Sequence, residues 1–400
     1  MTRSLSSLSF LATAALVACT DEPPGPLGES TSLLCGNGLA EVGELCVAAP
    51  TNVRATTSAL ITVLAVDVDA DGRRDLVGVT STQVYVVLGA PGGFGLWSFY
   101  QPAGGPAFGD VAAGDFDGDG DLDIAATDTA NDRIMVRLHT VGASFAPPTF
   151  LATGDRPTRI HAARMNGDAL DDLIILADGA DNLEVRLATG GGGFAAAVSY
   201  AAGDARDFAI GNCDGTGGID VMYMNGTGTA AALRARRNNY AGVLSAPVST
   251  AWPLGPTVTI PHYSKPLAIV SGRMNPDTWD DAVVSAEWSR LATGRSNGNC
   301  TFTKLPEVQS YAWSTRLRLG DHDGNGTLDV AAPHYTDAFD DELSVVFGIG
   351  NGNLDPAYGL IQEPTGTVFN DAAFGDFNDD GARDLITASA PGFLLHRGAP

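Results

Sequence analysis

Only two lysines occur in 400 residues, and 47 acidic side chains leave a formal charge of −24. A surface so poor in cations repels a phosphate backbone, which excludes nucleic acid as a partner. Catalytic signatures are also scarce. Neither HExxH nor GxxxxGK[ST] occurs, so zinc-peptidase and P-loop readings lack support, and no α/β-hydrolase is expected. The five cysteines include no CxxC spacing, which argues against a cysteine-held metal. Beyond the first twenty residues no apolar run is long enough to cross a bilayer. Glycine is plentiful instead, with 49 residues beside 44% hydrophobic content. That composition supplies ample core and many turns between short strands, with little helix. The six histidines do not cluster, and His139, His161, His322 and His396 read as packed or surface side chains.

The start of the chain reads as a targeting segment. Arg3 precedes an apolar stretch from Leu8 to Val17, and "LVAC" ends at Cys19. This resembles a bacterial lipoprotein signal over residues 1–18, which implies that Cys19 is lipidated and becomes the mature N-terminus; an ordinary cleaved secretory signal is the alternative. Residues 19–34, with "EPPGPLG", form a Pro/Gly tether. Residues 35–46, "CGNGLAEVGELC", resemble small Cys-bounded segments of secreted proteins, which implies a Cys35–Cys46 disulfide. Cys213 and Cys300 are left over, and sequence alone does not bring their Cα atoms together.

The rest of the chain, 47–400, is periodic. Numbered from its first residue, a nine-residue loop carries oxygen side chains at positions 1, 3, 5 and 9, with glycine at 6. Asp67, Asp69, Asp71 and Asp75 fit, as do Asp115, Asp117, Asp119 and Asp123. Asp321, Asp323, Asn325 and Asp329 form a third set, and Asp376, Asn378, Asp380 and Asp384 a fourth. Degenerate copies begin at Arg164, Asn212 and Arg273, so the loops start at 67, 115, 164, 212, 273, 321 and 376. A period near 48 with two insertions marks a radial or stacked array, and an open solenoid is the alternative. One strand precedes each loop ("ALITVLAVD") and one follows it ("DLVGVTS"). A third ("QVYVVLG") and, after a Gly-rich turn, a fourth ("GGFGLWSFY") complete the unit. Four strands repeated seven times predict an all-β, seven-bladed β-propeller. The seventh repeat stops after its third strand, so the N-terminal segment around 47–57 is expected to close the last blade and remove the open edges.

The D-x-D-x-D-G-x-x-D-L/I loops and the "GGFG" turn resemble the FG-GAP/VCBS repeat family, relatives of the integrin α-subunit propeller. The resemblance implies a propeller with calcium loops and is nearly silent on function. The loop chemistry agrees, because calcium takes six to eight hard oxygens and alternate residues of a tight turn can converge on one centre. Glycine at position 6 permits the turn, magnesium's rigid octahedron suits the set less well, and solvated turn aspartates are the alternative. No Glu stands at position 12, so these are not EF-hands. About four structural calcium ions are expected. In the third and fifth loops the position-1 arginines, Arg164 and Arg273, are expected either to replace the ion by forking onto the position-5 and position-9 carboxylates or to point to solvent. The fourth loop (Asn212, Asp214, Thr216, Asp220) is expected to bind weakly or not at all.

Together these readings give a non-enzymatic binding or adhesion scaffold for protein or glycan, held in the bacterial envelope, at the outer membrane or surface, by its lipid anchor. A lectin, or a propeller-type hydrolase, lyase or enzyme accessory domain, remains open; a His/Asp/Arg cluster converging in the channel would favour an enzyme. Two insertions offer aromatic candidates for a partner surface: Trp252, His262 and Tyr263 in one, Tyr335 and Phe339 in the other. Oligomeric state is left open.

Overall fold

The structure, a computed structural model, describes residues 51–56, 58–253, 266–286, 290–310, 314–333, 342–362, 368–390 and 392–398. The expectations for Cys19, Cys35 and Cys46, and for His262, Tyr263, Tyr335 and Phe339, lie outside the described residues.

Seven antiparallel sheets of four main strands follow one another along the chain and form a β-propeller. Blade 1 comprises Leu60–Val66, Asp75–Thr80, Val84–Ala90 and Gly93–Tyr100. In blade 5 the outer position is shared by Phe302–Lys304 and Val308–Gln309. The first strand of each blade is innermost and lines the central channel. The second strand has neighbours on both sides in its own sheet and is sandwiched between adjacent blades. Its side chains are therefore shielded on both faces: Asp75–Thr80, Asp123–Asp128, Asp172–Ala177 and Asp384–Ser389 are buried along their whole length.

The core is distributed between blades. Val77, Val79 and Val86 of blade 1 pack with Phe108, Val111, Ile124 and Met135 of blade 2. Close approach is needed where the inner strand enters its loop: a Cβ on Gly114 would lie 2.8 Å from the Asp171 Cβ of the next blade.

The ring closes as the sequence predicts. Thr51–Ala55 pairs antiparallel with Gly392–His396, so the first strand of the described chain is the outer strand of blade 7. Leu60, Val63 and Tyr85 of blade 1 then share a core with Ile386, Phe393 and Leu395 of blade 7. Among the described residues no helix is long and apolar enough to cross a membrane.

Candidate functional site

Each acidic loop connects the first and second strands of its blade, so all seven emerge at one end of the ring. The hairpins between third and fourth strands emerge at the same end. The glycines at position 6 of the four complete loops, Gly72, Gly120, Gly326 and Gly381, have φ of +88°, +96°, +81° and +86°. Each glycine N–H donates to the position-1 carboxylate of its own loop, at 2.8–3.1 Å for Asp67, Asp115, Asp321 and Asp376.

Three of these loops bring three carboxylate oxygens within 4.8 Å of one another: Asp67/Asp69/Asp71, Asp115/Asp117/Asp123 and Asp321/Asp323/Asp329. The Asp69 and Asp321 Oδ1 atoms are buried without a hydrogen-bond partner. Burial, with the charges of Asp119 and Asp115 nearby, raises the Asp117 carboxyl above its ordinary value. Such crowding is unfavourable without a counter-charge, and the donors are hard oxygens, so these loops fit a divalent cation. Loop 7 is partly closed by an amide, as Asn378 Nδ2 donates to Asp380 at 2.9 Å.

Position 9 has a second duty that the sequence reading missed. All seven aspartates there are fully buried, including those of the degenerate loops. Asp123 accepts from the Phe116 N–H at 2.9 Å and the His139 N–H at 2.8 Å. Asp172 accepts from Met165 at 2.9 Å and Ala188 at 2.8 Å, and Asp329 from His322 at 2.7 Å and Gly348 at 2.9 Å. One carboxylate thus ties the loop to the end of the third strand, at Gly348, or to the hairpin just after it, at His139 and Ala188. Burial pushes Asp75, Asp123, Asp172, Asp220 and Asp281 up to about 6, and Asp329 up to about 7, despite the backbone N–H groups that favour the charge.

The ion-replacing arginine fork is not formed. The Arg164 side chain is 61% exposed, and its nearest carboxylate is Asp171 at 3.8 Å, not Asp168 or Asp172. Arg273 is likewise exposed. In both loops the position-3 amide contacts a carboxylate instead, as it also does in loop 7. Asn166 Nδ2 donates to Asp168 at 2.8 Å, and Asn275 Nδ2 to Asp281 at 3.0 Å. Loop 4 is held in another way: Cys213 at its position 2 is disulfide-bonded to Cys300 in the hairpin of blade 5. The Cys300 N–H also donates to the Cys213 carbonyl at 3.3 Å, as Gly352 does to Met274 and Gly242 to Met165 at 2.9 Å each. Loop and following hairpin are therefore latched repeatedly around the ring.

The channel holds a charged ring that the sequence reading did not find. Five residues before each loop stand Thr62, Asp110, Arg159, Asp207, Ala268, Arg316 and Asp371. Asp110, Asp207 and Asp371 accept the backbone N–H of Ile160, Ile269 and Val63, each on a neighbouring blade, at 3.1–3.2 Å. Arg316 Nη1 meets Asp110 at 2.8 Å, Arg159 Nε meets Asp207 at 3.1 Å, and Arg318 Nη2 meets Asp371 at 2.6 Å. Arg316 belongs to blade 6 and Asp110 to blade 2, so their pair spans the channel. Burial alone would raise the Asp110 carboxyl, but Arg316, Arg159 and Arg318 outweigh it and hold it below its ordinary value. Burial lowers His161, whose Nε2 lies 3.2 Å from the Phe208 carbonyl, against the pull of Asp110 and Asp207. A His/Asp/Arg cluster does converge here, yet its three carboxylates are engaged by backbone and guanidinium donors.

Trp252 is not a partner surface. It is 1% exposed in the core between blades 4 and 5, with Lys304 Nζ 5.3 Å from its ring. His139, His322 and His396 are buried, as packed side chains should be. A GxSxG string, Gly294–Gly298, was overlooked in the sequence. It ends a strand and enters a hairpin, and Ser296 Oγ is buried and donates to the Cys213 carbonyl at 2.8 Å, so it forms no nucleophile elbow.

Seven sheets around one channel, each with an acidic loop at the same end, define a β-propeller of the repeat-loop class. Residues 67–126 match the FG-GAP-like repeat, and that match together with the seven blades supports an FG-GAP repeat propeller. No curated protein matches it. Solved structures share the fold at low identity. BBS1N in complex with ARL6DN is 13% identical, with a TM-score of 0.59 over 88% of this chain and 96% of that one. An Agrocybe aegerita lectin that recognises non-reducing terminal N-acetylglucosamine is 18% identical, with a TM-score of 0.54 over 84% and 87%. Virginiamycin B lyase from Staphylococcus aureus is 9% identical, with a TM-score of 0.56 over 87% and 97%.

Proposed function

We propose that this propeller is a non-enzymatic binding scaffold, stiffened by about four calcium ions and anchored in the cell envelope through a lipid on Cys19, which presents its loop-bearing end to a protein or glycan. The observation that carries the calcium assignment is the convergence of three carboxylate oxygens within 4.8 Å in three separate loops, two of which hold a buried, unpartnered Oδ1. Asp67, Asp69, Asp71 and Asp75, with their counterparts in loops 2, 6 and 7, would hold the ions. Calcium there would neutralise the crowded carboxylates and fix the loop against the following hairpin. Binding without catalysis is supported by the absorption of the channel carboxylates into ion pairs and backbone contacts. The fold is shared with a lectin and a binding complex.

Metal analysis and melting curves with and without chelator test the calcium. About four ions per chain and a lower melting temperature after chelation are expected; seven tightly held ions, or an unchanged curve, refute it. Capture from envelope extracts, together with a glycan array, tests the partner, and retention of neither protein nor glycan counts against a scaffold. The lyase among the structural neighbours and the channel cluster keep an enzyme as the second reading. Turnover abolished by Arg316→Met in a protein that remains folded would favour it.

A further inference from the structure

The channel is not filled by its ion pairs. A cavity of about 260 Å³ remains, lined among others by Leu64, Val111, His161, Val270, Leu317 and Arg318. Its charges are stratified along the channel. Five residues before the loops, Asp110 and Asp207 are matched by Arg316 and Arg159. Three residues before the loops, two strand steps nearer the acidic end, stand Leu64, Ala112, His161, Ala209, Val270, Arg318 and Ala373. That level contains two basic side chains, no carboxylate, and otherwise apolar groups. Two residues along a strand is about 7 Å, so the two levels are distinct. Arg318 directs Nη2 to Asp371 and Thr62, while its buried Nε has no acceptor.

We propose that this cavity is a binding site for a small carboxylate with a compact apolar body, its head on Arg318 beside His161 and its body against Leu64 and Val270. A carboxylate suits the planar edge of a guanidinium, which can supply Nε as well as an Nη. The apolar walls favour a hydrocarbon body over a fully hydrated ion. The size limits the ligand to less than a drug-sized molecule, whose pockets begin at about 300 Å³. The site goes beyond the scaffold reading, needs no partner at the loop end, and uses none of the loop aspartates.

The test is calorimetric titration of the full chain with benzoate, acetate and inorganic phosphate, each with calcium and with chelator present. Benzoate is expected to bind at least tenfold more tightly than acetate, with phosphate weaker than both. Val270→Phe fills the cavity without removing a charge; it should abolish benzoate binding and leave the melting temperature near that of the parent. Arg318→Lys retains the charge but loses the planar edge, and should weaken binding at least tenfold. No heat with any carboxylate, phosphate binding as tightly as benzoate, or benzoate affinity unchanged in Val270→Phe would each overturn the proposal. Loss of benzoate binding only in chelator would instead bear on the calcium loops, which keeps the two ideas separable.

Discussion

The two duties of position 9 can be separated by one substitution made in two loops. In Asp172→Asn, the amide oxygen can keep one of the two N–H donors, from Met165 or Ala188, while its NH₂ faces the other. Losing a hydrogen bond to a charged acceptor costs about 1.5–3 kcal/mol, and an unsatisfied buried donor about 1–3 kcal/mol. Removing a charge whose burial lifts Asp172 to about 6 offsets part of this. A net cost of about 3 kcal/mol is a reasonable centre. At roughly 2 cal/mol/K per residue, a propeller of about 350 residues unfolds with about 0.7 kcal/mol/K, so the melting temperature should fall by about 4 °C. Loop 3 has Arg164 at its first position, so this fall should be the same in calcium and in chelator. Asp123→Asn breaks the equivalent tie and also removes an oxygen from the Asp115/Asp117/Asp123 cluster. With calcium a hundredfold above its dissociation constant, losing that site costs a further 2.7 kcal/mol or so, about 4 °C more, in calcium alone. Scanning calorimetry of both variants in both media decides the matter. Equal falls for Asp123→Asn with and without calcium, or a calcium-dependent fall for Asp172→Asn, would show that the division of labour is wrong.

Three other outcomes are expected. In chelator the chain should become more stable as pH drops from about 7 towards 4. Burial raises all seven position-9 carboxyls above 3.8, to about 6 for Asp75, Asp123, Asp172, Asp220 and Asp281 and about 7 for Asp329, so the folded state takes up protons first; a melting temperature that falls steadily from pH 7 to 5 in chelator contradicts this. Reducing the Cys213–Cys300 bond, or Cys213→Ser with Cys300→Ser, frees an 87-residue separation. The chain-entropy estimate is about 4–5 kcal/mol, an upper figure readable as a drop in denaturation midpoint; an unchanged midpoint argues against the staple. Gly392→Ala would set a Cβ on the Arg54 carbonyl oxygen, at a φ of +152°. Hydrogen exchange at residues 51–55 should accelerate strongly while blades 2 and 3 keep their protection, and uniform protection would contradict the closure.

Periodicity made the architecture readable, because blades repeat one backbone plan and the loop needs glycine and aspartate at fixed places. Three of the four complete loops bring three carboxylate oxygens together, whereas position 9 was credited to metal alone. A letter pattern cannot distinguish a ligand from an acceptor of backbone N–H groups when both require aspartate. The channel ring escaped notice because its register holds Thr62, Asp110, Arg159, Asp207, Ala268, Arg316 and Asp371, with no shared residue type. Ring closure alone places blade 6 opposite blade 2. Trp252 misled for a related reason, since an aromatic in an insertion reads as a surface group until the neighbouring blade covers it. The Cys213–Cys300 bond was out of reach because it joins different repeats.

The pairing of Thr51 with Leu395 has a temporal consequence. Thr51–Ala55, made before all seven inner strands, has no partner until Gly392–His396 has been made. Until then six complete sheets and one unfinished sheet form an arc with two raw ends, each able to recruit a foreign strand. A chain lacking Gly392–His396 would therefore lose far more than one strand's worth of order, because it would remain an arc with nothing to join its ends.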